Sequence, residues 1–449
     1  MNLWHNSSRP DLRSGRLLFS AFFLVFLAHI GYDKQENKTK KEFTNMRAYE
    51  RLIRYAMVHT TSDPESETCP SSPFQFDLAN LLVAEMKALG ISDAFADEHC
   101  YVYGTIPATA GCEEKPALGL IAHMDTSPDA SGENVKPVLH ENYDGQEITL
   151  PNGTVLSVDR FPFLHSMKGE TLITSDGTTL LGADDKAGVA EILTAAEQLI
   201  QSGKPHGKVC IAFTPDEEIG RGADKFDIPG FGADFAYTVD GGDVGSIEYE
   251  NFNAAAARVE IKGFSVHPGS SKDTMINASN VAMEFHMALP AMERPEHTEG
   301  REGFYHLTDM QGDVSNAKLD YILRDHDLSK LEEKKSTMEH IAHRLNERYG
   351  DGTVTLHLKD NYRNMIEQIK PHFHLVETAN EAIRMASLEP VTVPVRGGTD
   401  GATLSWMGLP CPNLGTGGFN FHGCAECTTA ERMDKATEIL LNIIELYAR

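Results

Sequence analysis

Several short stretches of the chain carry side chains that can bind a cation or move a proton: His123-Met-Asp125, Asp184-Asp185, Glu217-Glu218, Asp240 and His422. Singly, each has an ordinary explanation. A His-x-Asp is commonly a satisfied surface pair, an Asp pair opening a helix is a cap with a favourable first-turn charge, and paired glutamates suit a solvated loop. Together they say more. Positions 123–125, 184, 217–218 and 240 each follow an apolar run that reads as a strand. Such strand ends converge on one sheet edge, where open α/β sheets bind their ligands. Two histidines among several carboxylates suit a borderline divalent ion, zinc first and then cobalt or manganese. With donors enough for two ions and a carboxylate to bridge them, the chemistry is metal-assisted hydrolysis.

The spacings fit that chemistry. In extended chain the side chains of His123 and Asp125 share a face, so Asp125 can accept the second imidazole N–H and fix the ring. Glu217 and Glu218 point differently. One can bind metal while the other faces the activated water as general base.

The elements that must position these residues alternate along the chain. Apolar runs at 117–122, 171–173, 178–181, 209–213 and 235–239 read as strands, and 46–57, 78–89 and 187–201 as helices, which predicts an α/β fold with a mainly parallel sheet. The first helix shows apolar positions 49, 52, 53 and 57. The order then changes to strand 254–262, helix 275–289, strands 304–311 and 316–324, helix 328–348 and strand 353–359. That β-α-β-β-α-β pattern is ferredoxin-like. It predicts an inserted α+β domain over 252–363, within a catalytic domain formed by 46–251 and 364–449. Helices at 374–387 and 431–447 complete the latter.

Composition excludes several classes. Sixty-six acidic against 40 basic residues leave a formal charge of −26 over 449 residues. Nucleic acid and anionic membrane would be repelled, so neither is an expected partner. Seven scattered cysteines do not form a disulfide framework and suit a reducing, cytoplasmic setting. Residues 1–45 differ from the rest. Arg9, Arg13 and Arg16 precede an apolar run from Leu17 to Ile30, which has the shape of a signal segment and would mean export or anchoring. The rival reading is a start placed upstream of the true one, since a helical domain can open at Met46.

Residues 46–449 resemble the tripeptide-aminopeptidase branch of the di-zinc M20 metallopeptidase family. The resemblance rests on Ile121-Ala-His-Met-Asp-Thr-Ser-Pro-Asp129, Thr179-Leu-Leu-Gly-Ala-Asp-Asp-Lys-Ala-Gly188, Phe213-Thr-Pro-Asp-Glu-Glu218, Tyr237-Thr-Val-Asp-Gly-Gly242, Val266-His-Pro-Gly269, Arg396-Gly-Gly-Thr-Asp-Gly401 and Gly408-Leu-Pro-Cys-Pro412. It implies two Zn2+ per subunit, with Co2+ or Mn2+ as substitutes. His123 and Asp240 would bind one ion, Glu218 and His422 the other, and Asp184 would bridge them across a cis Asp184–Asp185 peptide. Asp125 would orient His123, and Glu217 would be the general base. The resemblance further implies that the inserted domain is a lid whose His267 helps hold the oxyanion. Arg324 and Arg396 would clamp the peptide carboxylate. The implied substrates are tripeptides with a free N-terminus, and the lid admits a homodimer.

The chain departs from the family pattern after the last ligand. Where the family reads His-Gly-Lys-His-Glu-Phe, this sequence reads His422-Gly-Cys-Ala-Glu-Cys427. Structural thiols are one reading. The other is that Cys424 or Cys427 perturbs the second metal or makes the protein sensitive to oxidation. Arg363 stands where a neutral aromatic is usual, at the expected domain hinge.

Overall fold

A computed structural model describes residues 43–449. The reading of the first residues as a leader lies outside this range up to residue 42. Packing is already established ahead of Met46: Phe43 is buried, and the Asn45 N–H donates to Glu197 Oε1 at 2.6 Å.

The central sheet has eight strands. In chain order these are β1 (Phe95–Ala96), β2 (Val102–Ile106), β3 (Leu118–His123), β4 (Val209–Thr214), β5 (Phe235–Gly241), β6 (Ser246–Glu248), a strand Val391–Thr392 and a strand Asn413–Gly415. Their spatial order is β1-β2-β4-β3-β5, then 413–415, β6 and 391–392. The middle is parallel, with β3 between β4 and β5 and β5 beside 413–415. The β1–β2, β2–β4 and β6–(413–415) pairs are antiparallel. Every residue of β3 and β4 is buried, as expected of strands covered on both faces.

Helices α1 (Ala48–Ala56), α2 (Gln75–Leu89) and α3 (Ala183–Ser202) pack with the C-terminal helix Ala430–Ala448 into the main core. Helix α3 is buried on nearly every side, Lys186, Glu191 and Glu197 included. Gly188 lets it lie close to the sheet. A Cβ there would stand 1.8 Å from the Val239 carbonyl oxygen, so only glycine brings the start of α3 against the end of β5. That approach sets Asp184 beside Asp240.

Two sequence expectations are corrected. Positions 178–181 form no strand: the Leu180 N–H goes to Ser131 O at 3.0 Å and the Leu181 N–H to Glu426 Oε2 at 2.8 Å, so no ladder forms. In α1 the apolar positions do not all face inward. Met57 falls just beyond the helix and is 57% exposed, while Arg51 within it is wholly buried. Its guanidinium bonds Glu85 and Glu197, each at 2.7 Å, and the Phe43 and Met46 carbonyls.

Between β6 and the strand at 391–392 the chain builds a second sheet. Strands β7 (Asn253–Lys262), β8 (Phe304–Gly312), β9 (Asn316–Asp325) and β10 (Val354–Tyr362) lie antiparallel in the order β8-β9-β7-β10. Helices Ala278–Ala288 and Leu328–Tyr349 share a separate core with it. The two chain passes joining the sheets are bonded to each other. Asn251 N–H donates to Asn364 Oδ1 (3.1 Å), Asn364 N–H to Asn253 Oδ1 (2.9 Å) and Met365 N–H to Asn251 Oδ1 (2.7 Å). Arg363 lies there, its guanidinium 5.4 Å over the Trp406 ring.

Among the described residues, no helix is long and apolar enough to cross a membrane.

Candidate metal centre

His123 is the last residue of β3, Asp240 lies at the end of β5, and Glu217 and Glu218 form a short turn after β4. Asp184 sits at the opening of α3 in non-helical backbone, followed by a cis peptide to Asp185. His422 comes from the loop 416–426, in left-handed conformation at φ 62°.

Their ligand atoms form two groups. His123, Asp184 and Asp240 make one, Asp184, Glu218 and His422 the other, with the donor atoms of each within 4.8 Å of one another. Asp184 belongs to both. Its Oδ1 lies 3.0 Å from His123 Nε2 and its Oδ2 3.3 Å from His422 Nε2. His123 Nε2 is 3.4 Å from Asp240 Oδ1, and His422 Nε2 is 3.0 Å from Glu218 Oε2. The donor set is that of a borderline divalent ion. Glu218 Oε1 is buried without a hydrogen-bond partner, an orphan that a cation would satisfy. The residues therefore fit a pair of metal ions.

Supporting bonds hold these side chains in place. His123 Nδ1 faces Asp125, 3.1 Å from its carbonyl oxygen and 3.3 Å from Oδ1. The same carboxylate accepts the N–H of Glu217 at 3.0 Å, the N–H of Glu218 at 3.1 Å and the Ser62 hydroxyl. Asp185 accepts the N–H of His123 at 3.2 Å and that of Gly188 at 3.1 Å, so α3 and β3 are tied end to end. Asp216, just before the glutamate pair, accepts the N–H and hydroxyl of Ser71 and the amide of Gln75. On the far side, His422 Nδ1 lies 3.4 Å from Asp129.

The electrostatics follow from crowding five carboxylates around two imidazoles. Burial alone would lower His123, but Asp240, Asp125 and Asp184 outweigh it and hold the imidazole well above its usual range. Hydrogen bonds to Asp184 and Glu218 push His422 up to about 11. Burial lifts Asp240 to about 7 against the pull of His123. Burial, then the charge of Asp240, keeps the Glu217 carboxyl well above the ordinary carboxylate range.

The remaining sequence candidates fall in different places. His267 is exposed in a turn after β7, where its Nδ1 accepts the Gly269 N–H at 3.1 Å; it makes no contact with the ligand groups. Arg324, on β9, lies 5.3 Å over the Tyr362 ring, and Tyr362 in turn feels the Glu217 charge. Arg396 is held by the second sheet's 298–302 loop. It donates to the carbonyls of Gly300 (2.8 Å) and Glu302 (3.0 Å) and to the Thr298 hydroxyl (2.9 Å), over the Phe252 and Phe304 rings. Neither Cys424 nor Cys427 belongs to a ligand group. Cys427 is wholly buried in an apolar cluster with Leu164 and Leu172, and burial pushes its thiol up to about 12. Cys424 is half-buried.

Sequence reasoning missed Ser62, Asp185, Asp216 and Glu426. Each is a buried polar residue around the ligands; Asp185, Asp216 and Glu426 lie within the quoted motifs, and no sequence signal pointed to Ser62.

Fold and site together define the class. The model of peptidase family M20/M25/M40 matches residues 176–446, and the chain belongs to that family. Within it, the chain is 54% identical to peptidase T of Alkaliphilus oremlandii over 404 residues, 89% of this chain and 99% of that one. Among solved structures, a tripeptidase from Staphylococcus aureus superposes with a TM-score of 0.72 at 24% identity, covering 90% of this chain and 98% of that one. An aminopeptidase from Bacillus cereus superposes with a TM-score of 0.71 at 22% identity, over the same shares. These two likenesses show the fold.

Proposed function

We propose that the chain is a metal-dependent aminopeptidase that removes the N-terminal residue of tripeptides. The observation that carries this reading is the pair of His/carboxylate groups sharing Asp184, in a chain closely related to peptidase T. His123 and Asp240 would hold one ion and Glu218 and His422 the other, with Asp184 common to both. The donor set favours zinc, with cobalt or manganese as substitutes. When bound, such ions supply Lewis-acid polarisation of the scissile carbonyl and make water nucleophilic at neutral pH.

The protein's own groups do the rest. Glu217, with its carboxyl held well above the ordinary range, takes the proton of the attacking water and returns it to the leaving amine. Asp125 keeps His123 and both glutamates aligned. The segment 252–363 acts as the lid. On closure it brings His267 to the developing oxyanion and Arg324 to the substrate's terminal carboxylate, which a forked guanidinium suits. Tripeptide length would be read as the distance between the metal pair and Arg324. Homodimerisation through the lid and a cytoplasmic setting belong to the same reading, the latter supported by seven unpaired thiols.

Hydrolysis of Met-Gly-Gly, Met-Gly and N-acetyl-Met-Gly-Gly, each with and without chelator, tests it. Chelator-sensitive release of methionine from the free tripeptide alone is expected. Cleavage of the dipeptide or the blocked peptide in its place would overturn the substrate assignment.

A further inference from the structure

The search for chemistry outside the named ligands leads to Glu426. It is 1% exposed and makes no ion pair among the described residues. Its hydrogen bonds go to one backbone stretch: Oε2 accepts the N–H of Leu181 at 2.8 Å and of Gly182 at 2.7 Å, and Oε1 accepts the N–H of Asp184 at 2.9 Å. A buried carboxylate beside Asp184 is costly unless such donors compensate it. The stretch it grips is the irregular approach to α3 that presents Asp184 to both histidines.

Glu426 shares its loop with His422. The loop is closed at its base by reciprocal backbone bonds between Phe419 and Cys427, at 2.8 and 3.0 Å, and the Phe419 ring stacks 4.3 Å from Phe163. Cys427 continues as a strand paired to Leu172–Thr174. One anchored loop thus supplies a candidate ligand of the second group and grips the residue common to both.

We propose that Glu426 is a positioning residue that holds Asp184 in its shared pose and thereby couples the two metal positions. The inference rests on the metal-centre reading above, and only its kinetic arm needs the peptidase reading. Glu426→Gln is the discriminating variant. The amide keeps one oxygen, which best serves the two N–H groups of Leu181 and Gly182. Its NH2 then faces the Asp184 N–H, donor against donor, so the substitution breaks the contact at issue.

The test titrates metal-free wild-type and Glu426→Gln protein with Co2+, followed by visible absorption, with the thermal midpoint of each metal-free protein and tripeptide kinetics beside it. Wild type should take two equivalents. The variant should take the second about 10–100-fold more weakly and with an altered spectrum, and kcat should fall by a similar factor while KM stays within about twofold. Two equivalents bound with wild-type affinity and spectrum would overturn the proposal, as would a lowered melting midpoint with the spectrum unmoved. If Glu426→Gln does not fold, amide exchange in the metal-free wild type decides. The N–H groups of 181, 182 and 184 should exchange slowly, and exchange as fast as in exposed loops sinks the idea. Wild type that binds two Co2+ but leaves tripeptides intact would remove the peptidase reading and leave this one to the titration.

Discussion

The Asp125 carboxylate accepts the backbone N–H of Glu217 at 3.0 Å on Oδ1, the same oxygen that lies 3.3 Å from His123 Nδ1. A ligand-orienting group and the turn carrying the proposed base are therefore one mechanical unit. Replacing Asp125 with Asn puts an amide where four donors now converge, so at least one backbone N–H, of Glu217 or Glu218, must face another donor. Metal affinity and kcat are expected to fall together by about 10–100-fold. Metal content after dialysis and kcat at saturating metal check this; a variant with full metal content and wild-type kcat would refute it.

Glu217→Gln should separate binding from chemistry. Glu217 is in neither ligand group, so metal content should stay at the wild-type level. Losing the proton acceptor should lower kcat by about 10²–10⁴-fold. Elemental analysis paired with tripeptide kinetics measures both, and loss of an ion would instead make Glu217 a ligand.

Metal loading should strengthen as pH rises. His422, held up to about 11, and His123, held well above its usual range, both carry protons in the metal-free protein at neutral pH. A ligating imidazole must be neutral, so binding the two ions releases protons. Near pH 6 the release grows, because Asp240, lifted to about 7, is then protonated as well. The sign is thus weaker binding toward acid. Calorimetry in buffers of different ionisation enthalpy counts the protons, and a pH-independent affinity would contradict the assignment.

Stability should depend on a residue far from the chemistry. Arg51→Ala leaves Glu85 and Glu197 buried without their counter-charge, a loss of about 3–5 kcal/mol by precedent for broken buried pairs. Arg51→Met with Glu85→Gln should recover part of it. Denaturant unfolding of the three proteins gives the answer, and a loss under 1 kcal/mol for Arg51→Ala would show the network to be dispensable.

The two arginines should behave differently. Arg324→Ala is expected to raise KM for tripeptides by roughly tenfold or more through loss of a charge-assisted pair, with kcat less affected. Arg396 is already occupied by the 298–302 loop, so Arg396→Ala should loosen that loop and affect kcat and KM together. Identical kinetic effects would argue that both read the substrate.

The architecture was legible where burial dictates residue type. β3, β4 and β5 are largely apolar runs, and each leads at its carboxyl end into polar residues of the site: His123, the Glu217–Glu218 turn and Asp240. The shared role of Asp184 could not be read from strand logic, because it needs the contact at Gly188 between α3 and β5. Positions 178–181 misled because their N–H groups go to scattered partners and not to a neighbouring strand: Thr178 to Asp176, Leu180 to the Ser131 carbonyl and Leu181 to Glu426. Arg51 misled for a related reason. Periodicity assigns charged residues to the outside, and only the presence of Glu85 and Glu197 on two other helices reverses that. Arg396 looked like Arg324 in sequence, and only the fold shows that two nitrogens of Arg396 are engaged by the 298–302 loop, while Arg324 gives Nη1 to the carbonyls of Leu323 and Ala255.

The cross-bonded passes at Asn251 and Asn364 have a consequence for how such a chain can be rebuilt. The segment carrying the second sheet enters and leaves the molecule at adjoining points. In topological terms it is one long excursion from a loop whose two ends already touch. It can therefore be exchanged as a cassette, longer, shorter or of another fold, without rethreading the central sheet. Descent with a changed excursion would leave the strand ends of the central sheet in their places.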